Sequence, residues 1–284
     1  MQAVAIVTDA SVDLPPELAS ELGLVLAPFG YELAGRRYLN GQQSPAEFYA
    51  ALASGGKAEV EGTSADDFET ALRTAAAKAT ELICVAQSVG SSFTGVSAEV
   101  AAHRLQAKGT RVAVMIPGRS TLGLGALCIA AARLAATGGS KDEVFRLLEL
   151  GSSSTETFAI PASLDYLEQT GDLAMLSSQS SVGAIDNGIP LFRVRGRISA
   201  AAATHDHAAA EEELLKRVEQ TAAGRPVIVL IGQSGDATPA NRLAEAARKR
   251  LSVAELYVTS LGPTIGAVLG PGAYALGFCA IANS

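Results

Sequence analysis

Three short groups of hydroxyl side chains are the part of this sequence best suited to chemistry. All three lie on predicted loops, and the last group lies where a strand ends and a helix begins. There, backbone N–H groups and the helix dipole favour an anion such as a carboxylate. Ordinary N-capping is the alternative role for Ser91 or Ser92. The groups are Thr8 with Ser11, Thr63 with Ser64, and Ser91, Ser92 and Thr94, which Gly95 follows.

The histidines and serines support catalysis less well. His205, Asp206 and His207 have a spacing that can chelate a metal, but they stand at the entrance of a predicted helix, where N-cap and surface roles are favoured. The chain has no Gly-x-Ser-x-Gly motif, the sharp turn on which many hydrolases place their nucleophile. A small-molecule transferase or hydrolase that uses Ser91, Ser92 or His205 remains the alternative hypothesis.

Nucleotide-binding motifs are missing from the sequence as well. The stretch "RSTLGLG" (119–125) lacks the Gly-x-Gly-x-x-Gly spacing, and no phosphate loop of the Walker type occurs. The glycines of this stretch are better explained by close packing of a helix. The sequence therefore favours a binding protein over an enzyme, and it predicts neither a cofactor nor a metal site.

Composition narrows the class of protein further. Apolar residues make up 48% of the chain and charged residues 18%, with a formal net charge of −7, which disfavours a nucleic-acid partner. No run of about 18 apolar residues and no basic leader segment occurs, so we expect a cytoplasmic protein without a membrane span. Each cysteine lies inside an apolar run and is predicted to be a buried hydrophobe rather than a disulfide or metal ligand: Cys84, Cys128 and Cys279.

The stretch "FRVRGR" (192–197) is the main cationic cluster of the chain. Its arginines alternate, so in a strand Arg193, Arg195 and Arg197 would share one face. A solvated strand edge and a docking or anion site are both open interpretations of this pattern.

The order of predicted elements indicates an α/β protein with two domains. In the first, buried strands such as "ELICVAQ" (81–87) alternate with helices, which predicts a doubly wound, mostly parallel sheet over residues 1–152. "SPAEFYAAL" (44–52) carries the signature of a capping box at a helix start. A polar link that contains residues 61–64 is predicted before the next helix. Shorter strands, a turn at 185–190 and two amphipathic helices predict an α+β domain over residues 153–284, with a mixed sheet covered by helices.

Six segments, in order, resemble the bacterial DegV family over nearly the whole chain. The resemblance rests on "IVTDASVDLPPEL" (6–18), "SPAEFYAAL", the Thr-Ser pair at 63–64, "GSSFTG" (90–95), "STLGLG" (120–125) and "LGPTIGAVLGPGAYALGF" (261–278). It implies a long-chain fatty acid bound noncovalently at the domain interface, with its carboxylate on the loops of the first domain and its tail in the second. By position, Thr63 and Thr94 would donate hydroxyls to that carboxylate. The remaining implied binding residues are Ser64, Ser91, Ser92, Gly95, Ala267 and Val268.

The resemblance also implies roles around this site. Asp9 and Ser11 would brace the loops rather than touch the anionic head, because an aspartate beside a carboxylate repels it. Some similar proteins present the acyl carboxylate to a separate fatty acid kinase subunit, which phosphorylates it with ATP. Among the departures from the family pattern, Val268 stands where a His is common, and Asp172 where an Arg is common. Both changes remove donors that would help to present an acyl phosphate.

Overall fold

The computed structural model describes residues 2–87, 93–169 and 188–282. Its strands are β1 (Gln2–Asp9), β2 (Val25–Ala27), β3 (Gly30–Leu33), β4 (Arg36–Leu39), β5 (Ala58–Gly62), β6 (Ala79–Val85), β7 (Val112–Met115), β8 (Thr155–Ile160), β9 (Ile189–Arg195), β10 (Arg197–Thr204), β11 (Val227–Gln233), β12 (Val253–Ser260) and β13 (Tyr274–Ala280). Its α-helices are α1 (Pro16–Glu21), α2 (Pro45–Ala53), α3 (Ala65–Ala76), α4 (Thr94–Gln106), α5 (Thr121–Ala136), α6 (Lys141–Ser152), α7 (Asp165–Gln169), α8 (His207–Ala222), α9 (Ala237–Arg250) and α10 (Pro263–Leu269).

The first sheet is parallel, in the order β2-β1-β6-β7. Alternate side chains of β1 enter two different apolar clusters: Ala5 and Val7 pack with α3 and α4, whereas Val4 and Ile6 face the cluster that contains α5. Helices on both faces are the arrangement expected of a doubly wound sheet, so the predicted fold class of this part is confirmed. Its loops at the C-terminal edge follow Asp9, Val85 and Met115.

A second, small antiparallel sheet has the order β4-β3-β5 and was not predicted. Its strand β5 includes Glu61 and Gly62, so the prediction of a polar link at these two residues was wrong. The strand is amphipathic and short, with charged residues at two of its five positions. Its pairing with β3 therefore reflects tertiary context more than local propensity. Helix α2 begins with the predicted capping box at Ser44 and Glu47.

The third sheet is mixed, in the order β10-β9-β8-β13-β11-β12. One face packs on the two predicted amphipathic helices, α8 and α9, through residues such as Leu214 and Leu243. The other face packs on α5, whose side chains from Leu122 to Ala132 are all buried. A helix that is apolar all round has to be covered on all sides, which explains its position between two sheets.

Close packing of α5 depends on glycine, as the sequence indicated for "STLGLG". A β carbon on Gly123 would lie 2.7 Å from the carbonyl oxygen of Glu156, and one on Gly277 would lie 2.3 Å from the backbone nitrogen of Gly123. Because α5 belongs by sequence to the first predicted domain and contacts both sheets, it joins the two halves. The division into domains 1–152 and 153–284 stays a prediction.

The arginines of "FRVRGR" do not share one strand. The chain reverses at Gly196, whose φ of 64° suits glycine, so Arg195 ends β9 and Arg197 begins the antiparallel neighbour β10. Arg195 forms an ion pair with the buried Glu156, and its Nε lies 2.7 Å from Oε2 of that carboxylate. The expectation that all three arginines lie in one strand was therefore wrong, although they still share a face of the sheet, because Arg193 and Arg195 alternate within β9 and Arg197 lies opposite Arg195. The turn predicted at 185–190 falls largely outside the described residues.

All three cysteines are buried and unpaired, as predicted. Burial raises the pKa of the Cys128 thiol to about 12 and that of Cys279 to about 11, so these thiols stay protonated. Within the described ranges, no helix combines the length and the apolar character that crossing a membrane requires.

Candidate functional site

Thr63 and Thr94, which the resemblance placed on the ligand, lie in direct contact. Thr63 follows β5, and Thr94 is the first residue of α4. The backbone N–H of Thr63 donates to Oγ1 of Thr94 over 3.3 Å. The two residues are only 3% and 1% exposed. Two predicted head-group ligands from separate loops therefore meet at one buried point.

The hydroxyl of Thr63 has no hydrogen-bond partner among the described residues, although it is fully buried. A buried polar atom without a partner costs about 1 to 3 kcal/mol, and native structures contain few of them. A hydroxyl in this position suits a ligand that brings its own acceptor. A carboxylate is such a group, because its oxygens only accept hydrogen bonds.

Ser64 has a different role from its neighbour Thr63. Its side chain is exposed, and its Oγ accepts from the N–H of Asp67 over 3.2 Å, which makes it the N-cap of α3. Such a cap satisfies one of the free N–H groups at a helix start. The cap fixes the chain direction between β5 and α3 and so orients Thr63 inward.

Gly95 stands in the first turn of α4, where backbone N–H groups have no acceptor within the helix. A β carbon at Gly95 would lie 3.0 Å from Cδ1 of Ile116, which follows β7, so the small residue lets the two loops approach. The N-cap position, Phe93, provides no side-chain cap. The other two predicted ligands of this loop, Ser91 and Ser92, lie outside the described residues.

Asp9 and Ser11 lie at the end of β1, where Asp9 links the segment after β1 to the segment after β6, and their role in bracing a ligand site stays a prediction. Oδ1 of Asp9 accepts from the N–H of Ser11 over 3.2 Å, and the Ser11 hydroxyl donates to the same oxygen. Oδ2 accepts from the N–H of Gln87 over 3.2 Å, which ties the end of β1 to the end of β6. Burial raises the pKa of Asp9, although these hydrogen bonds oppose the shift.

Oε1 of Gln87 and Oγ1 of Thr264 are also buried polar atoms without described partners, and neither residue was singled out from the sequence. Gln87 follows β6 at the C-terminal edge of the first sheet, and it is 1% exposed. A glutamine at the end of the apolar run "ELICVA" carries the same signal that identified Thr8 at the end of β1. Thr264 lies in α10, and its position in "LGPTIG" gave no comparable signal.

Helix α10 carries the two predicted ligand residues of the closing segment. Ala267 is buried, and Val268 packs against the main apolar cluster at intermediate exposure. The helix contacts both β5 and α2, so it lies beside the strand that Thr63 follows. Where the family commonly has a His on this helix, Val268 places an apolar side chain. Asp172, the second departure from the family pattern, lies outside the described residues.

The histidine cluster lies at a helix start, as predicted. Asp206 is the N-cap of α8, and its Oδ1 accepts from the N–H of Ala209 over 2.7 Å. The His205 side chain is 84% exposed and contacts Asp206. The described residues contain no group of three or more acidic, histidine or cysteine side chains placed to hold a metal ion.

Comparisons with known proteins agree with the geometry of this fold. The model of the DegV family, described as "Uncharacterised protein, DegV family", matches residues 3–280. A DegV domain-containing protein of Streptomyces coelicolor is 28% identical over 273 residues, which is 95% of each chain. Another from Deinococcus radiodurans is 29% identical over 281 residues, covering 95% of this chain and 96% of the relative.

The solved structures include a DegV family protein from Thermus thermophilus that is described for its fatty acid binding. It is 27% identical and superposes with a TM-score of 0.86, covering 99% of this chain and 100% of the other. The family match therefore extends over all three sheets, the Thr63–Thr94 contact and the closing helix α10. Because sequence and fold agree over this whole length, the chain belongs to the DegV family.

Proposed function

We propose that this protein binds a long-chain fatty acid noncovalently, with the carboxylate at Thr63 and Thr94. The observation that carries the proposal is the buried Thr63 hydroxyl, which has no described partner and lies beside Thr94. The Thermus thermophilus protein, similar over 99% of this chain, is described as binding fatty acid, which supports the same ligand class here.

The head group is held by neutral donors in this proposal. Thr63 and Thr94 donate hydroxyls, the N–H of Gly95 adds a backbone donor, and Ser91 and Ser92 complete the loop. Ser64 acts through its cap on α3. Each carboxylate oxygen of the buried Asp9 already accepts a hydrogen bond, one from Ser11 and one from Gln87, so Asp9 is given no contact with the ligand. Each good hydrogen bond to a carboxylate contributes about 1.5 to 3 kcal/mol before desolvation of the charge.

The hydrocarbon tail supplies most of the binding free energy. Each buried methylene contributes ~0.8 kcal/mol, so a chain of about fifteen offers roughly 12 kcal/mol before the cost of ordering it. One continuous apolar cluster supports a tail that leaves the first sheet toward the second half. It includes Phe29, Phe48, Ile265 and Leu269, and Ala267 and Val268 lie beside them.

The same proposal describes the protein as a cytoplasmic carrier rather than an enzyme, with the fatty acid as its ligand and no other cofactor. Its thiols are buried and unpaired, which suits a reducing compartment. A separate fatty acid kinase subunit is the partner that this role would serve. Val268 in place of the common His predicts weaker presentation to such a kinase than binding of the acid itself.

Identification of the native ligand tests the proposal directly. Protein purified without added lipid is extracted with organic solvent, and we expect mass spectrometry to detect a fatty acid in the extract. Delipidated protein is then titrated calorimetrically with a saturated C16 acid and with its methyl ester. The ester keeps the tail and loses the charged head, so we expect weaker binding of the ester.

Empty protein that shows no heat of binding and no shift of melting temperature with the acid would overturn the proposal. Equal affinity for acid and ester would remove Thr63 and Thr94 from the head-group site. A serine-reactive phosphonate distinguishes the carrier from the alternative hydrolase. A carrier should not be labelled, whereas labelling of Ser91 or Ser92 would indicate an enzyme.

A further inference from the structure

Asp13 places a buried carboxyl group where the opening segment of the chain meets the closing one. It follows the short 3-10 helix at 10–12, with a φ of 52°, and it is only 8% exposed. Its Oδ2 is buried and has no partner among the described residues. Its Oδ1 rests against Gly262, since a β carbon there would lie 2.3 Å from that oxygen. The Gly262 N–H also faces this carboxyl.

Gly262 is the N-cap of α10, and it offers no side chain to cap that helix. Asp13 therefore supplies an acceptor at the helix start from a distant part of the sequence. Tyr49 of α2 holds the preceding residue, because its hydroxyl donates to the carbonyl oxygen of Leu261 over 2.8 Å. A β carbon on Gly266, one turn into α10, would lie 2.3 Å from the same hydroxyl oxygen. We call these four residues, Asp13, Tyr49, Leu261 and Gly262, the α10 junction.

The charges around the α10 junction disfavour an ionised Asp13. Burial is the larger cause that raises the pKa of Asp13, which reaches about 8. Asp9, a second buried carboxyl at the end of β1, raises this pKa further. Tyr49 is the titratable group that faces Asp13 from α2. Cys128 of α5 faces Asp9. The segment from Leu261 to Thr264 carries no charged side chain, so nothing in it neutralises the carboxylate.

We infer that Asp13 is a positioning residue for α10, and that ionisation of its carboxyl loosens the α10 junction. The neutral acid fits a buried site with one facing N–H, whereas the carboxylate would be left buried with an unpaired oxygen beside Asp9. Because α10 carries Ala267 and Val268, a loosened helix would release a bound fatty acid faster at alkaline pH. This last consequence alone rests on the proposed function.

Hydrogen exchange of the ligand-free, full-length protein tests the inference without any lipid. The reporters are amides that form the helix, among them the N–H of Gly266, which donates to the carbonyl of Gly262 over 2.9 Å. We expect their protection, corrected for intrinsic exchange, to fall at least fivefold between pH 6.5 and 9.5 in the wild-type protein. Peptides from β11 are the internal reference and should change less than twofold.

Asp13→Asn mimics the neutral acid and should keep the protection of α10 constant within twofold over this range. Asp236→Asn, at the exposed N-cap of α9, is the matched control and should behave like the wild-type protein. Should Asp13→Asn fail to fold, Tyr49→Phe provides the second variant: protection of α10 should be lower at every pH and keep its pH dependence.

A flat wild-type profile would overturn the inference, and so would a pH dependence that persists in Asp13→Asn. If the exchange results are as expected but no fatty acid binds, the proposed function fails and the α10 junction stands. If an acid binds and dissociates at the same rate at pH 6.5 and 9.5 while exchange changes, only the link between helix and ligand is lost.

Discussion

The backbone N–H of Thr63 and the Oγ1 of Thr94 are 3.3 Å apart, although 31 positions separate the two residues in the chain. One follows a strand of the small antiparallel sheet, and the other begins a helix of the parallel sheet. This contact joins two loops and leaves the Thr63 hydroxyl free of described partners. It gives the two threonines distinct roles that substitution can separate.

Thr63→Val should weaken fatty-acid binding without destabilising the protein. The substitution is nearly isosteric and removes a hydroxyl that has no described partner, while the backbone N–H to Thr94 remains. We expect affinity to fall by about 1 to 3 kcal/mol, roughly 5- to 150-fold, as measured by calorimetric titration. Unchanged affinity would clear Thr63 of the role.

Thr155→Val is the matched control for that variant. Thr155 is also fully buried, but its hydroxyl donates to the carbonyl of Gly151 over 2.8 Å. Here we expect the opposite pattern, with the free energy of unfolding lowered by about 1 kcal/mol and affinity unchanged.

Thr94→Val should affect both stability and binding. It removes the acceptor of the Thr63 N–H and leaves that buried donor without a partner, which costs about 1 to 3 kcal/mol. Urea unfolding and titration with the same fatty acid measure the two effects. Thr94→Ser keeps the oxygen and should restore most of both, and a serine variant as impaired as the valine variant would contradict this account.

The stability of the protein should decrease from acid to mildly alkaline pH in a way that depends on Asp13. Burial raises the pKa of Asp13 from its ordinary 3.8 to about 8 in the folded protein. Between these values the folded state keeps a proton that the unfolded chain has released. The free energy of unfolding therefore falls as the pH rises from about 4 to about 8, and this contribution levels off above that range.

Urea unfolding at intervals from pH 4 to 9 measures this effect as a difference between the wild-type protein and Asp13→Asn. Groups that do not interact with Asp13 contribute equally to both proteins, so the difference isolates Asp13 together with its coupling to Asp9 and Tyr49. We expect the stability of the variant relative to the wild-type protein to rise by at least about 1 kcal/mol across the range. Parallel pH profiles would show that Asp13 ionises normally in the folded state.

Glu156→Gln should destabilise the protein through the arginines that it leaves behind. Glu156 is 3% exposed; its Oε2 lies 2.7 Å from the Nε of Arg195 and 3.7 Å from that of Arg193. The side chains of Arg193 and Arg195 are 36% and 42% exposed, so water offsets part of the lost interaction. We expect the free energy of unfolding, measured in urea, to fall by about 1 to 3 kcal/mol. Glu245→Gln breaks an exposed pair with Arg248 and should change stability by less than about 1 kcal/mol.

Local signals in the sequence identified most elements of this fold. The capping box at Ser44 and Glu47, the apolar strands and the two amphipathic helices α8 and α9 were predicted, because each depends on neighbours within a few residues. Strand β5 was not, since its pairing with β3 brings together segments from either side of α2. The turn at Gly196 was missed for a related reason. The alternating pattern of arginines is the same whether the segment forms one strand or two strands joined by a tight hairpin.

The candidate site likewise contains some residues that the sequence predicted and others that only the fold revealed. Thr63 and Thr94 were named from motifs, and so was the bracing role of Asp9. Gln87, Thr264, Asp13 and Tyr49 became recognisable only when the fold placed a buried oxygen without a partner or a hydroxyl against a distant carbonyl.

The sequence by itself determined the family, the alternation of strands and helices, and which loops carry hydroxyl groups. These properties follow from residue type and spacing, which act over one or two turns of chain. Only the tertiary structure decided that α5 is shared by two sheets, that Thr63 meets Thr94, and that Asp13 lies at the start of α10. Such contacts depend on sheet order and on the exclusion of water, and both arise only when distant segments pack together.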